Sequence, residues 1–406
     1  MQPEPYQLLI VGAGPAGLAA ACAAKRCGLA YVALERGVLA QTVCEYPVKR
    51  PLHSPPQDVE LAWGELFANR PPNVSREEIL RHYYCFSAER GLRIRQRESV
   101  LRIERDGDGF FIRSSRRIYR AQKVLIATGG FGITRRLNVP GETSTRVFHR
   151  FVDGASFAGR EVLVVGGGNS AAEAALWLHE ASAKVTLSLR RSSFAPRHGN
   201  IDSYTAVKPF NAAPLLALAE RGEVKILFSS RVIEITPQTV ILEHEGKRQE
   251  IVSAKIFALL GADPDLGLLR QAGAAIAGDG RPVYDPDTYE TTVPGLYVAG
   301  HLTRELHIPK TLAIVPKIVH RMAGAQPSAE GARLGLEVLA QLAKALRRRS
   351  ALIRVLIREF PILRRPVQLA DAANVMRDRK LSLAWRLVSR YPRVRSMIRS
   401  LRAYAS

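Results

Sequence analysis

The stretch G-A-G-P-A-G at residues 12–17 follows the apolar run Q-L-L-I-V of residues 7–11 and opens a segment of small residues. This order predicts a strand, a tight turn and a helix. In such a turn Gly12 permits the bend, Gly14 lets the backbone approach a pyrophosphate, and Gly17 lets the helix pack on the strand. The helix N-terminus then favours the negative charge of the phosphates. The stretch therefore predicts a dinucleotide-binding unit.

A second stretch of the same kind, G-G-G-N-S-A at residues 166–171, follows the apolar run E-V-L-V-V of residues 161–165. Here Gly166 and Gly168 take the roles of the first two glycines, and Ala171 takes that of the third. One such motif is a weak signal. Two motifs, each between a predicted strand and a predicted helix, indicate two bound dinucleotides, and the usual reason for such a pair is a flavin that a nicotinamide reduces.

The residues that end the next strand of each unit distinguish the two dinucleotides. Residues 29–34, L-A-Y-V-A-L, lead into Glu35, where a carboxylate accepts hydrogen bonds from ribose hydroxyls and repels a 2′-phosphate. Residues 184–189, K-V-T-L-S-L, lead into Arg190 and Arg191, whose guanidinium groups suit a phosphate. The alternative for the two arginines is a solvated basic strand end. We therefore predict FAD at the first motif and NADPH at the second.

The rest of the pattern predicts an α/β fold with two Rossmann-like dinucleotide-binding domains. A helix is predicted near residues 75–90, followed by a meander of short strands at 100–104, 109–114 and 117–120 and a buried strand at 123–128. After the second motif the strand pattern continues through 229–245 and 256–261. A turn and strand at 291–300 precede an apolar helix near 312–324.

Composition is consistent with a soluble enzyme of two or three domains. The chain has 406 residues, of which 47% are hydrophobic, and four cysteines without the paired spacing of a zinc site. It does not begin with a positively charged segment followed by an apolar one. We therefore expect a cytoplasmic protein with no metal.

The last quarter of the chain is strongly basic. Residues 332–406 hold 18 Lys or Arg against 4 Asp or Glu, which is most of the net charge of +22. Leucines recur there at near-helical spacing in runs too short and too charged to span a bilayer. We predict a basic helical extension that covers its own subunit or a homodimer, lies peripherally on an anionic membrane surface, or docks an acidic partner. Nucleic acid is disfavoured because no basic motif interleaved with aromatic residues is present.

The order of these motifs, with A-T-G-G at 127–130, L-R-R at 189–191 and T-T-V-P-G-L-Y-V-A-G at 291–300, resembles the thioredoxin-reductase-like pyridine-nucleotide flavoproteins. Residues 146–151 and 207–222 further resemble the branch typified by bacillithiol-disulfide reductase. The resemblance implies an FAD domain interrupted by an NAD(P)H domain that rotates on hinges near 130–155 and 255–265. The implied boundaries are 1–134 and 263–327 for the FAD domain, 135–262 for the NAD(P)H domain and 328–406 for the extension.

The chain departs from that family at its thiols. Thioredoxin reductases have C-A-T-C-D-G where residues 149–154 read H-R-F-V-D-G, so that His149 and Val152 replace both cysteines. The bacillithiol-reductase branch has a cysteine where this chain has Ala16. The resemblance therefore implies the cofactors more than a disulfide substrate. His301 also replaces the usual Asp after the final A-G, which bonds hydroxyls on the flavin side. The imidazole or the backbone could make that bond, and if neither does, FAD would bind more weakly.

Two residues are candidates for catalysis. Cys44 lies in a loop that comes near the flavin ring in related flavoproteins, and it could attack a disulfide if its thiol pKa were lowered. His149 resembles a histidine of flavin monooxygenases, and its alternative role is a packed hinge residue. Cys22, Cys27 and Cys85 are expected to pack as small apolar residues.

We therefore predict that NADPH reduces FAD and that FAD reduces a further acceptor. The acceptor could be a low-molecular-weight disulfide, or a ferredoxin, flavodoxin or quinone for which no thiol is needed. A flavin monooxygenase and a non-catalytic redox sensor at a membrane surface are the alternatives. The predicted cofactor-binding residues are Gly12, Gly14, Pro15, Ala16, Gly17, Glu35, Arg36, Thr128, Gly129, Gly166, Gly168, Asn169, Ser170, Ala171, Arg190, Arg191, Gly300 and His301.

Overall fold

Strands and helices alternate along the chain in the predicted α/β order. The computed structural model describes residues 3–52, 59–61, 74–195, 207–303 and 307–324, so that the predicted basic extension at 328–406 lies outside the described residues. The strands are β1 Glu4–Val11, β2 Tyr31–Leu34, β3 Ile94–Arg95, β4 Val100–Asp106, β5 Gly109–Ser114, β6 Ile118–Ile126, β7 Ile133–Thr134, β8 Val147–Phe148, β9 Glu161–Val165, β10 Lys184–Ser188, β11 Val224–Leu227, β12 Ser230–Ile235, β13 Thr239–His244, β14 Lys247–Val252, β15 Lys255–Ala258, β16 Ala262–Asp263 and β17 Leu296–Val298. The helices are α1 Pro15–Arg26, α2 Gln41–Cys44, α3 Arg76–Glu89, α4 Asn169–Glu180, α5 Pro209–Glu220, α6 Gly267–Gln271 and α7 Ile308–Met322.

A seven-stranded sheet carries the first glycine motif. Its order is β3-β2-β1-β6-β5-β4, and β17 also pairs with β6. Strands β2, β1, β6 and β17 run parallel, whereas β4, β5 and β6 form the antiparallel meander. The two short strands predicted at 117–120 and 123–128 are a single strand, because β6 pairs with β1 without interruption from Lys123 to Ile126 and again at Tyr119 to Ala121.

A second sheet carries the second glycine motif. It is fully parallel, with the order β11-β10-β9-β15-β8. Helix α4 follows β9 and packs its alanine face on the sheet through Ala171, Ala172 and Ala175, all of which are buried. The antiparallel strands β12, β13 and β14 form a separate three-stranded sheet.

The two connectors between these sheets lie side by side. Strands β7 and β16 pair in antiparallel fashion, with Thr134 opposite Ala262, and Arg135 forms a bidentate ion pair with Asp263. The predicted domain boundaries at 134/135 and 262/263 fall in this two-stranded ribbon. The boundaries and the rotation of the domains stay predictions.

Helices α1 and α7 pack together over the first sheet. The buried face of α1 is almost entirely alanine, which lets α7 approach closely with Val315, Ile318 and Val319. Among the described helices, none combines the length with the apolar character that crossing a bilayer requires.

Helix α3 begins with a capping box between Ser75 and Glu78 and buries one face. The buried face consists of Ile79, His82, Tyr83 and Phe86. Cys85 is exposed, so the prediction that it packs in the core is wrong. Its position is roughly a third of a turn from the centre of the buried stripe, which local apolar neighbours in the sequence did not reveal. Cys22 and Cys27 are partly buried.

His82 makes the fold sensitive to acid. Its Nε2 accepts a hydrogen bond of 2.9 Å from the backbone N–H of Leu61, and burial lowers the pKa of the imidazole to about 4 from 6.5. As the pH falls below about 6.5, the unfolded chain binds a proton at this side chain and the folded chain does not. The free energy of unfolding should therefore fall by about 2 kcal/mol, after allowance for partial solvation, before the pH reaches 4.

Replacement His82→Gln keeps an acceptor for Leu61 and removes the titration. Denaturant unfolding between pH 7 and pH 4 should therefore show a shallower loss of stability in this variant than in the wild type. His244→Gln, in the three-stranded sheet, is the control. An identical pH slope for wild type and His82→Gln would contradict the assignment.

Candidate functional site

The predicted flavin-binding residues meet at one edge of the first sheet. Val11 pairs with Leu34 and with Ile126, and Ile126 pairs with Val298, so that β1, β2, β6 and β17 end together. The glycines and polar residues that follow those strands come from segments up to almost 300 residues apart. Crevices at the carboxyl ends of parallel strands are where α/β proteins bind dinucleotides.

The three glycines of the first motif have the three expected steric roles. A Cβ on Gly12, whose φ is +105°, would lie 2.6 Å from the carbonyl oxygen of Ala127. A Cβ on Gly17 would lie 1.9 Å from the carbonyl oxygen of Gly12, whereas a Cβ on Gly14 would meet nothing within 4 Å. Gly14 thus borders open space at the N-terminus of α1, and Pro15 is the first residue of that helix. This is the shape that a pyrophosphate needs.

Glu35 ties the end of β2 to the first motif. Its buried carboxylate accepts hydrogen bonds of 2.8 Å from the backbone N–H groups of Ala13 and Gly37. Thr128, after β6, has a buried Oγ1 without a hydrogen-bond partner among the described residues. An orphaned hydroxyl beside an open cradle fits a bound polar group. Arg36 points into solvent.

His301 lies against the Gly129-Gly130 turn. A Cβ on Gly130 would be 2.6 Å from Cδ2 of the imidazole, and the ring contacts Phe131 edge to face at 5.1 Å between centroids. Burial, with Arg281 and His307 nearby, lowers the pKa of His301 to about 4. Gly300 has a φ of +71°, and a Cβ there would lie 3.0 Å from Cβ of Ala16. The final A-G therefore packs directly on the start of α1, next to an imidazole that is neutral at physiological pH.

The second motif repeats the same geometry with alanine in the third place. Gly166 has a φ of +154°, and a Cβ on it would lie 2.4 Å from the carbonyl oxygen of Leu259 and 3.0 Å from Cβ of Ala171. A Cβ on Gly168 would meet nothing within 4 Å. Open space again lies at a helix N-terminus, here that of α4, and Ser170 in its first turn is exposed.

Arg191 lies over the second motif. Its Nη2 donates a hydrogen bond to the carbonyl oxygen of Gly167, and its Nη1 donates one of 3.1 Å to that of Ala195. Arg190 is exposed. The guanidinium of Arg191 is thus placed at the edge of the cradle, where a 2′-phosphate of NADPH needs a cation.

Asn169 supports the cradle with its side chain. Its Oδ1 accepts hydrogen bonds of 2.8 Å from the backbone N–H of Lys208 and 3.1 Å from Nδ2 of Asn211. Sequence reasoning did not identify Asn211 because it lies 42 residues from Asn169. The sequence holds one local sign of this contact. Asn169 and Glu173, both of which Asn211 contacts, are four residues apart and therefore lie on one face of α4.

Cys44 is the last residue of the short helix α2. Its partly buried Sγ donates a weak hydrogen bond of 3.7 Å to the carbonyl oxygen of Leu39. Burial raises the pKa of the thiol above its usual value, with Glu45 acting in the same direction and Arg76 against it. The thiol is therefore protonated at neutral pH, whereas disulfide chemistry needs the thiolate.

His149 lies at the end of β8, on the edge of the second sheet. Its Nε2 is 3.7 Å from Oε1 of Glu142, whose carboxylate also accepts hydrogen bonds from the N–H groups of Leu137 and Asn138. Burial, followed by the charge of Arg136, lowers the pKa of the imidazole. This packing fits the predicted hinge residue, and a catalytic role for His149 stays a prediction. Among the described residues there is no cluster of side chains suited to a metal.

Comparison with known proteins gives the same picture. Residues 9–300 match the pyridine nucleotide-disulphide oxidoreductase family. The chain is 30% identical over 296 residues to bacilliredoxin reductase Bdr of Bacillus subtilis (72% of this chain, 88% of that protein) and 28% identical over 302 residues to ferredoxin–NADP reductase of Ignicoccus hospitalis (73% and 89%). Among solved structures, bacillithiol disulfide reductase Bdr from Staphylococcus aureus aligns with a TM-score of 0.72 and 27% identity, over 79% of this chain and 99% of that chain. These comparisons confirm the resemblance and the fold stated from the sequence.

The open glycines provide a test of the two cradles. Gly14 and Gly168 have backbone angles that alanine also adopts (φ −74° and ψ −173°, φ −106° and ψ 179°). Gly14→Ala should leave the fold intact but lower the affinity for FAD on the order of tenfold, because the added methyl occupies phosphate space. Gly168→Ala should do the same for NADPH. Flavin content, equilibrium dialysis of NADPH and thermal unfolding measure the two effects.

Gly17→Ala is the steric control, because its Cβ has no room beside Gly12. It should lower Tm by several degrees. If Gly14→Ala destabilised the apoprotein as much as Gly17→Ala does, Gly14 would be a packing residue and the phosphate assignment would be wrong.

Proposed function

Because this chain belongs to the pyridine nucleotide-disulphide oxidoreductase family, we propose that it transfers electrons from NADPH through FAD directly to an external acceptor, without a redox-active cysteine of its own. It is an NAD(P)H-dependent flavoprotein oxidoreductase, and its cofactors are FAD and NADPH. The class of electron acceptor and the roles of individual residues are our proposals.

We assign the first cradle to FAD and the second to NADPH. Gly14 and the N-terminus of α1 hold the FAD pyrophosphate, Glu35 accepts from the ribose hydroxyls, and the hydroxyl of Thr128 and the neutral imidazole of His301 bond to the flavin part. Gly168, the first turn of α4 and Arg191 hold NADPH. When bound, the cofactors supply hydride transfer from nicotinamide to flavin and onward electron transfer.

One observation supports an acceptor that needs no protein thiol. The three positions at which the family has thiols hold none in this chain, where they are Ala16, His149 and Val152. The remaining candidate, Cys44, has a thiol pKa that burial raises, so the thiol is protonated at neutral pH. A ferredoxin, a flavodoxin or a quinone accepts electrons without forming a bond to sulfur. With ferredoxin or flavodoxin, the reaction is NADPH plus two oxidised one-electron carriers, giving NADP⁺, two reduced carriers and a proton. With a quinone, the reaction is NADPH plus a proton plus one quinone, giving NADP⁺ and the hydroquinone.

A low-molecular-weight disulfide is the second candidate. It is favoured by the similarity to bacilliredoxin reductase and by Arg76, whose charge favours the Cys44 thiolate. That reaction consumes NADPH, a proton and a disulfide, and gives NADP⁺ and two thiols. The membrane surface, the acidic partner and the homodimer proposed for the basic extension concern residues outside those described.

If Arg191 binds the 2′-phosphate, the protein should prefer NADPH to NADH. In anaerobic stopped-flow measurements, NADPH should bleach the flavin band of the wild type in preference to NADH. Arg191→Gln should lower kcat/KM for NADPH by about tenfold and change that for NADH little, because only NADPH carries the phosphate. Arg231→Gln, which breaks an exposed ion pair with Glu243, is the matched control. Equal losses for the two nucleotides would refute the role of Arg191, and a protein that takes up no flavin would refute the proposed function.

The acceptor assignment predicts the behaviour of Cys44→Ser. Reduction of ferricyanide, a quinone or ferredoxin by NADPH should survive within about twofold, because a protonated thiol takes no part. Reduction of a small disulfide should be negligible in wild type and variant alike. Cys85→Ser, at an exposed position, is the control. Robust disulfide reduction that is lost only in Cys44→Ser would establish the second candidate instead.

A further inference from the structure

Residues 45–50 follow α2 and make three contacts with the part of the chain that surrounds the second sheet. Glu45 forms an ion pair with Arg150, the backbone N–H of Val48 donates a hydrogen bond of 2.9 Å to the carbonyl oxygen of Val152, and Arg50 contacts Glu173 on α4. We call these three contacts the seam. The segment begins directly after Cys44, and Arg150 directly follows His149.

The Arg50–Glu173 contact is the least exposed ion pair of the seam. Nη2 of Arg50 lies 2.8 Å from Oε2 and 3.2 Å from Oε1 of Glu173, and the two side chains are 21% and 7% exposed. The guanidinium also lies 5.0 Å from the ring centroid of Tyr46. The backbone carbonyl of Arg50 accepts a hydrogen bond of 2.9 Å from the N–H of Arg76, at the start of α3. Contacts with Tyr46 and Arg76 therefore help to fix the position of Arg50, in addition to its ion pair with Glu173.

From Glu173 a chain of hydrogen bonds leads to the second glycine motif. Nδ2 of Asn211 lies 3.4 Å from Oε1 of Glu173 and 3.1 Å from Oδ1 of Asn169, and that oxygen also accepts from the N–H of Lys208. Asn169 is the first residue of α4, next to Gly168. The guanidinium of Arg50 is thus linked through the side chains of Glu173 and Asn211 to Asn169, the residue of the second motif that begins α4.

We propose that Arg50 is a positioning residue for the NADPH cradle: it offsets the buried charge of Glu173 across the seam, and thereby holds the seam closed and the Glu173–Asn211–Asn169 chain in place. The three contacts of the seam are made by protein groups alone and do not depend on the proposed function. The effect on NADPH rests on the proposed function.

Loss of the charge of Arg50 should affect the seam more than loss of the charge of Glu173. Without Arg50, the carboxylate of Glu173 stays buried with less positive charge around it, and opening of the seam lets water solvate it. Without the charge of Glu173, the guanidinium of Arg50 still has the Tyr46 ring and a partly exposed position. Arg50→Gln should therefore open the seam more than Glu173→Gln does, and the double variant should be less open than Arg50→Gln alone.

The Val48 amide reports on the seam, because its hydrogen-bond acceptor lies on the other side. In amide hydrogen exchange of the full chain, Arg50→Gln should accelerate exchange of the 45–52 segment by about tenfold or more, and β9 in the second sheet should stay protected. Arg231→Gln should leave both unchanged. Equal exchange in wild type and Arg50→Gln would overturn the proposal, and so would loss of protection in β9, which would mean global unfolding.

Binding of NADPH separates positioning from mere stability. Arg50→Gln should raise the Kd for NADPH several-fold, because it leaves excess negative charge one helical turn from Asn169, and Arg50→Gln/Glu173→Gln should restore most of the affinity. No rescue in the double variant would overturn the link to the cradle. If the wild type bound neither flavin nor NADPH, the proposed function would fail, yet the exchange experiment would still decide whether the seam depends on Arg50.

Discussion

The contact of α1 with β1 at Gly17 is the constraint on which the first site depends. With 1.9 Å between the carbonyl oxygen of Gly12 and a Cβ at position 17, only glycine lets the helix start where it does. That start directs the N-terminus of α1 at the space beside Gly14, between the ends of β1, β2, β6 and β17. In the second site, helix and strand are less tightly packed, since the position equivalent to Gly17 is the buried Ala171, whose Cβ is accommodated there.

Burial has a common effect on the titratable groups around the sites. It raises the pKa of the Cys44 thiol and lowers the pKa of the imidazoles of His149 and His301. Each group is thereby kept in its neutral form at physiological pH. Under the proposed function, these neutral side chains bind and orient the cofactors, and the cofactors carry the electron transfer.

The sequence was sufficient where the signal is local. Glu35 and Arg191 lie within 30 residues of the glycine motifs at 12–17 and 166–171. In the structure, a hydrogen bond connects each of them to its motif. Apart from the exposure of Cys85, long-range effects decided what sequence reasoning missed or misjudged. Cys85 is exposed because of its angle on α3, and β6 is continuous because its partner β1 is. The contact between Arg50 and Glu173 joins residues 123 apart, and no periodicity announces it.

The contacts at the seam are polar, which affects how firmly the two sheets are joined. The seam's described contacts are two ion pairs and one backbone hydrogen bond, and Val48 and Val152 beside them are 44% and 51% exposed. Opening such a seam exposes charges and amides that water solvates, whereas separating α1 from α7 would expose a continuous apolar core. The chain therefore concentrates its strong apolar packing within each sheet and joins the two sheets by polar contacts, an arrangement in which one buried carboxylate decides how firmly they are held.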